Sequence, residues 1–300
     1  MSTSPVGSIK IMEIQIAVKA NSKLGEGPLW DYNEQCLYWV DILANKLHVY
    51  DPKTQWNRSI DVGQPIGAVV PRISGGVIIA LRDGIAHLDL ASEELTFISE
   101  IEKEITNNRF NDGKCDPSGR FWAGSMNFDS KTTSGTLYCM DTDLTVTPKV
   151  SPVTISNGLA WSTDHNKMYY IDTPTRRVVA YEYDLSCGHI QNPTTVIKND
   201  SEGHMDGMAI DEEGMLWIAL WGGSAVKRFD PKNGKLLDIL KLPATQVTAC
   251  AFGGKDLNEL YITTAAIGLD KEALSQQPLA GSLFKTKTSV KGMPSYAFSG

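Results

Sequence analysis

The sequence predicts an all-β protein, a six-bladed β-propeller with four-stranded blades and an N-terminal strand closing the last blade. Three observations predict it. Hydrophobic residues alternate with polar ones in short runs, LYWVDI, GVIIAL, RFWAGSM, KMYYIDT, LWIALW and LYITTA, which is the period of half-buried strands. Long amphipathic helical patterns are nearly absent. A strand–turn–strand syntax recurs six times, anchored at Gly27, Gly67, Gly113, Gly158, Gly207 and, without a glycine, Ala249. Successive anchors lie about 40–50 residues apart, the period of a propeller blade.

The repeats follow in order. GPLWDYNEQCLYWVDILANKLHVYDP holds three strands and two polar turns, and GAVVPRISGGVIIALRDGIAHLDL repeats it. GKCDPSGRFWAGSMNFDSKTTSGTLYCM, GLAWSTDHNKMYYIDTPTRRVVAYEYD and GMAIDEEGMLWIALWGGSAVKRFDP continue it, and ACAFGGKDLNELYITTAAIGLD with GSLFKT ends it. LTFISEI, TTVIKND and LLDILKL fall between repeats and read as fourth, outer strands. A ring leaves no open edge only if the other end of the chain completes the sixth blade. The spare strand EIQIAV, Glu13 to Val18, is expected to do so. Two stacked sandwiches would also show frequent strands, but not this regular recurrence. Residues 1–300 are read as one domain, with 1–12 a flexible N-terminal extension.

Composition narrows the function. A hydrophobic content of 42% supports a core, while a net charge of −7 and a pI near 5.3 argue against nucleic acid, whose phosphates need a basic surface. No basic amphipathic helix or bilayer-length apolar run suggests a membrane, and no obligatory protein partner is evident. MSTSPVGSIK lacks the apolar core of a signal peptide. The five cysteines are scattered singly, which fits a reduced, cytoplasmic protein.

The residue before each anchor is Glu26, Ile66, Asp112, Asn157, Asp206 and Thr248. First strands line the axis of a propeller, so these six should form a ring at one mouth of the channel. Any one Asp-Gly or Asn-Gly pair alone is more often a turn than a ligand. Four oxygen-bearing side chains at one register are not explained by turn chemistry, least of all Glu26. Carboxylates converging on an axis repel unless a cation sits among them, and an all-oxygen set suits hard cations such as Ca, Mg or Mn. Loops joining second and third strands reach the same mouth, adding Asp41, Arg82, Met126 to Ser134, Asp172, Trp221 and Ala265 as candidate lining. Trp221 offers an apolar face to a sugar ring, or packs between blades. Arg109 and Asn111, in NNRFNDG, stand at the entry to the third blade, where a guanidinium binds ligand oxygens in a fork or pairs with Asp112. Of five histidines, His204 alone is expected near the site, and GxSxG, P-loop and GxGxxG motifs are absent.

GEGPLW, NNRFNDGKCDPSGRFWAGSM, SNGLAWSTD, MDGMAIDEEGMLWIA and VTACAFGGKDLNELYIT resemble the regucalcin (senescence marker protein), gluconolactonase and luciferin-regenerating enzyme family. The likeness runs from about Glu13 to the C-terminal VKGMPSYAFSG. It implies that Glu26, Asn157 and Asp206 hold one divalent cation (Ca, Mn, Mg or Zn), and that Arg109 and Asn111 contact a sugar. Asp112 is then accessory. Animal regucalcins carry a longer loop with a sugar-covering Glu, whereas MNFDSKTTSG is shorter and offers Asp129 instead.

The expected function is cation-dependent hydrolysis of small-molecule aldonolactones, with Asp206 as general base toward the attacking water, or a metal-bound hydroxide in its stead. The alternatives are a calcium-binding regulatory protein without turnover, and an esterase or phosphotriesterase on the same scaffold.

Overall fold

The hydrophobic runs are strands, and they sort into six antiparallel sheets of four. The computed structural model describes residues 13–300, so the expected extension, residues 1–12, lies outside the described residues. The inner strands are Gly25–Asp31, Ile66–Pro71, Asn108–Cys115, Ser156–Trp161, His204–Ile210 and Val247–Gly253. Each packs on the next, and the last packs on the first, so the ring is closed. Inner strands are buried almost throughout, while outer strands such as Lys235–Lys241 are mostly exposed. That gradient explains why outer strands read weakly as hydrophobic patterns.

The sixth blade joins the two ends of the chain. Gln15–Val18 pairs antiparallel with Leu283–Lys287 and is the outermost strand of the blade, as expected. Thr286 Oγ1 donates to the Glu13 carbonyl at 2.8 Å and extends the seam. Closure hides an edge that would otherwise template pairing with other chains.

First strands run away from the mouth, so the turns between first and second strands lie at the far end. In blades three and five these turns share one design. Asp116 accepts from the backbone N–H groups of Ser118 and Arg120, from Trp122 Nε1 and from Tyr183 OH. Asp211 accepts from Glu213 N, Met215 N, Trp217 Nε1 and Arg228. Both carboxylates are fully buried and well supplied with donors. The C-terminal tail crosses this end: Gly292 bridges Asp211, and Phe298, wholly buried, bridges Arg72. Met293 to Tyr296 wall a small cavity of about 60 Å³ there, together with Lys114 and Cys250. One mouth of the channel is therefore covered and the other is open. All five cysteines are free thiols, four of them buried. No helix among the described residues is long and apolar enough to cross a membrane.

Candidate functional site

The ring register carries a structural device that the sequence does not display. In every inner strand the pairing with the second strand slips there, between Glu26 and Leu29, Ile66 and Ala68, Phe110 and Gly113, Asn157 and Leu159, Met205 and Met208, and Val247 and Ala249. Such a bulge adds an unpaired residue and re-aims a side chain out of the sheet. The glycines that follow serve the same crowded place. A Cβ on Gly67 would strike the Asn111 backbone, and one on Gly207 would strike Ala249. Gly27 lies in the left-handed region, with φ +52°, which a larger residue adopts only with strain.

Above the ring opens a cavity of about 560 Å³. Its floor brings together Glu26, Arg109, Asn111, Asn157 and Asp206, each of them no more than 6% exposed. A single chain of hydrogen bonds fixes the orientation of Arg109, Asn111 and Asn157. Arg109 Nη1 donates to Asn111 Oδ1 (2.7 Å), and Asn111 Nδ2 donates to Asn157 Oδ1 (2.8 Å) and to the Ser156 carbonyl (2.8 Å). Asn157 Nδ2 donates to Thr173 Oγ1 (2.8 Å), which donates to the Met205 carbonyl (2.8 Å). Arg109 at one end only donates and a carbonyl at the other only accepts, so both amides are held in one sense. The chain leaves the second lone pair of Asn157 Oδ1 for a ligand. It also engages both donors of Asn111, which makes that residue a link between Arg109 and Asn157.

The charges are unevenly provided for. Burial, and then the Asp112 carboxylate, push Glu26 above the usual carboxylate range. Burial, then Glu26, then Asp112, push Asp206 well above its ordinary value, and the Glu26 and Asp206 carboxyls stand close enough to share a hydrogen bond. Among the described residues, Asp206 Oδ1 is buried with no N–H or hydroxyl group donating to it. Burial lowers Arg109 to about 10, against the pull of Glu26 and Asp206, so it stays cationic at neutral pH. Its guanidinium lies 6.0 Å from the Phe128 ring centre.

The other candidates divide. Asp112 keeps the ring register but lies toward the channel, beside Gly27, Gly113 and Gly207, and not in the wall of the large cavity. Burial raises its carboxyl, opposed by Lys114, whose Nζ donates to the carbonyls of Leu159 and Met208. Asp112 makes no fork with Arg109, whose hydrogen bonds go to Phe110 O and Asn111. Asp129 is exposed and spends its oxygens on Lys131 N, Thr132 N and Thr132 Oγ1, outside the cavity. The short loop reaches the wall through Phe128 and Ser130 instead. Trp221 and His204 line the cavity. Asp41 and Asp172 do not: they clamp the backbone N–H groups of Lys23 and Leu24, and of Thr154 and Ile155. Arg82 pairs with Asp83, and Ala265 is buried.

Sequence reasoning missed several members. Thr173 completes the bond chain, and only its position after Asp172 at the mouth could have drawn attention to it. Leu43, Ile155 and Ile267 line the wall. Glu102, buried in the connection before the third blade, accepts from Asn108, Ser125 and Tyr138 and braces the strand that carries Arg109.

Among the described residues, no three carboxylate, histidine or cysteine side chains converge to hold a cation by themselves. The set at the floor is smaller, two carboxylates and an amide oxygen. These fit a hard cation: two carboxyls raised chiefly by burial, an Asp206 Oδ1 without a donor and an Asn157 oxygen held in place all suit positive charge.

Comparison with known proteins gives the same picture. Residues 24–266 match the SMP-30/Gluconolactonase/LRE-like region. The chain is 42% identical to a regucalcin of Danio rerio over 293 residues, covering 96% of this chain and 99% of that one. It is 40% identical to the "Putative sugar lactone lactonase YvrE" of Bacillus subtilis over 290 residues, with the same two shares covered. A crystal structure of a calcium-binding protein, regucalcin, from Agrobacterium tumefaciens superposes with a TM-score of 0.92 at 29% identity, over 96% of this chain and 97% of that one. With this fold, this ring and these relatives, the chain belongs to the SMP-30/gluconolactonase/LRE-like family.

Proposed function

We propose that the protein is a lactonase that opens small sugar lactones to the corresponding acids with the help of one divalent cation. The observation that carries this reading is the floor of the cavity, where a partnerless buried carboxylate oxygen, Asp206 Oδ1, stands beside Glu26 and below a cationic Arg109. The naming of a relative as a sugar lactone lactonase and of another as calcium-binding supports it.

Glu26, Asn157 and Asp206 would hold the cation. When bound, it supplies Lewis acidity toward the lactone carbonyl. The chain's own groups do the rest. Arg109 has Nε and Nη2 free of protein partners among the described residues, and these orient the substrate oxygens over the floor. Asp206 is the base that takes a proton from the attacking water, its reach set by the bulge at Met205. Water adds to the acyl carbon, the ring C–O bond breaks, and the proton passes to the departing ring oxygen, which leaves as a hydroxyl.

The test is a lactone panel assayed with a pH indicator, on chelated protein and after restoring Ca, Mg, Mn or Zn in turn. Turnover should vanish on chelation and return with at least one metal. Turnover untouched by chelation would remove the cation from the reading. Cation binding with no turnover of any lactone would leave a binding protein instead. Turnover of aryl esters or organophosphates alone would make it an esterase or phosphotriesterase.

A further inference from the structure

The walls of the cavity differ from its floor. Above the polar residues, Leu43, Phe128, Ile155, Pro174, Trp221 and Ile267 face the same space. They come from blades one, three, four, five and six, so hydrocarbon surrounds the mouth on nearly every side. Phe128 and Ile267 remain 43% and 41% exposed, side by side with the other apolar residues of this one opening. A lone Trp221 would suit the C–H face of a sugar, but five blades of apolar wall are more than one sugar face can cover.

The polar capacity near the wall is small. Asn111 has both donors engaged, and Thr173 Oγ1 both accepts and donates within the protein. Besides Arg109 Nε and Nη2 at the floor, Ser130 and His204, both exposed, are what remains near the rim. Hydroxyl groups of a polyhydroxylated ligand standing against this wall would lose water without gaining partners, which disfavours binding. The volume, about 560 Å³, is that of a site for a ligand several times larger than one lactone ring. The short loop from Asn127 to Ser134 leaves it so, because it contributes Phe128 to the wall and lays Asp129 outward.

We propose that the preferred substrate of this site is a lactone bearing an apolar arm, an alkyl chain or an aryl group, whose ring carbonyl sits at the floor and whose arm lies on the wall. This rests on the lactonase reading but not on its sugar: it ranks a lactone with an apolar arm ahead of a small sugar lactone at the same floor. The reaction is unchanged: water adds at the acyl carbon, the ring C–O bond breaks, and the product is a hydroxy acid that keeps its arm.

The experiment compares kcat/KM of the cation-restored full chain for γ-lactones without a substituent and with butyl, hexyl and octyl arms, beside glucono-1,5-lactone. The values should rise about two- to threefold per methylene, the gain expected of partly buried CH₂ groups, and level off once the wall is covered. In the double variant Phe128→Ser/Ile267→Ser the hexyl-to-unsubstituted ratio should fall at least tenfold. Both positions are exposed, so folding should persist, and Leu43→Gln gives an independent wall variant with the same expected direction. A flat series with glucono-1,5-lactone preferred would overturn the apolar arm and leave the lactonase standing. Failure to open any lactone would overturn both.

Discussion

The two ends of the propeller bury carboxylates equally well and treat them in opposite ways. At the covered end, Asp116 and Asp211 are wholly buried and surrounded by backbone, indole, phenol and guanidinium donors. At the open mouth, Glu26 and Asp206 are nearly as buried, yet Asp206 Oδ1 has no donor and the two carboxyls face each other. The first arrangement has its donors within the protein; the second leaves Asp206 Oδ1 without one, although the cationic Arg109 lies in the same cavity floor. Burial alone therefore does not separate the two sets of acids; the supply of donors does.

The contrast can be broken by exchanging its consequences. Asp206→Ala should lower lactone turnover by about 10³-fold or more, measured at saturating cation. Its Tm without cation should stay level or rise, since a partnerless buried carboxylate is removed. A large loss of Tm would mean that Asp206 is structural, like its counterparts at the far end.

Asp116→Ala should do the reverse. Leaving Arg120, Trp122 and Tyr183 without their acceptor should cost about 3 kcal/mol of unfolding free energy in urea titrations. Cation affinity of the folded fraction should be retained, and its loss would show that the two ends are coupled.

His48 sharpens the comparison, because it is a buried group of the satisfied kind. It stacks on Trp39 with ring centres 4.0 Å apart, and its Nδ1 meets Asn57 Nδ2 at 3.0 Å. Asn57 Oδ1 is already taken by Trp39 Nε1, so the Asn57 amide donates and the imidazole accepts in its neutral form. Burial lowers His48 from 6.5 to about 4. The sign follows: the folded state binds the proton less well than the unfolded chain. Its contribution is present above about pH 6.5 and is lost as pH falls toward 4, by up to about 2–3 kcal/mol. A His48→Gln variant should flatten that part of the stability–pH curve, and an unchanged slope would assign it to other groups.

The smallest effect concerns orientation. Thr173→Val removes the acceptor that holds the Asn157 amide, so the carbonyl oxygen loses its fixed aim. Cation affinity by calorimetry should weaken about tenfold, as for other groups that orient a ligand residue, and Thr173→Ser should restore it. Equal losses in both variants would point to packing instead.

Much of this was legible in the sequence, for identifiable reasons. The blade count followed from a period of strands and turns, and Glu13 to Val18 was conspicuous because it belonged to no repeat. Glu26, Asn157 and Asp206 were visible because the repeat put them in one register. The bulges at that register were not, since a slip in pairing leaves no pattern in one strand alone. Asp129, Asp41 and Asp172 read as site candidates because sequence gives a residue's place along a loop, but not whether its oxygens are already engaged by nearby N–H groups. Of the apolar wall, Trp221 and the stretch holding Phe128 were placed at the mouth, but Leu43, Ile155, Pro174 and Ile267 were missed, because each comes singly from a separate loop and carries no signal alone.

The seam in the sixth blade has a consequence for how the chain is made. Gln15–Val18 is synthesised about 265 residues ahead of its partner strand, Leu283–Lys287. At ordinary translation rates that interval is roughly ten seconds to a minute. Throughout it Gln15–Val18 waits without its partner while blades one to five are made in turn. The ring therefore closes only after Leu283–Lys287 has been made, and the nascent chain must keep Gln15–Val18 from pairing with a neighbour until then.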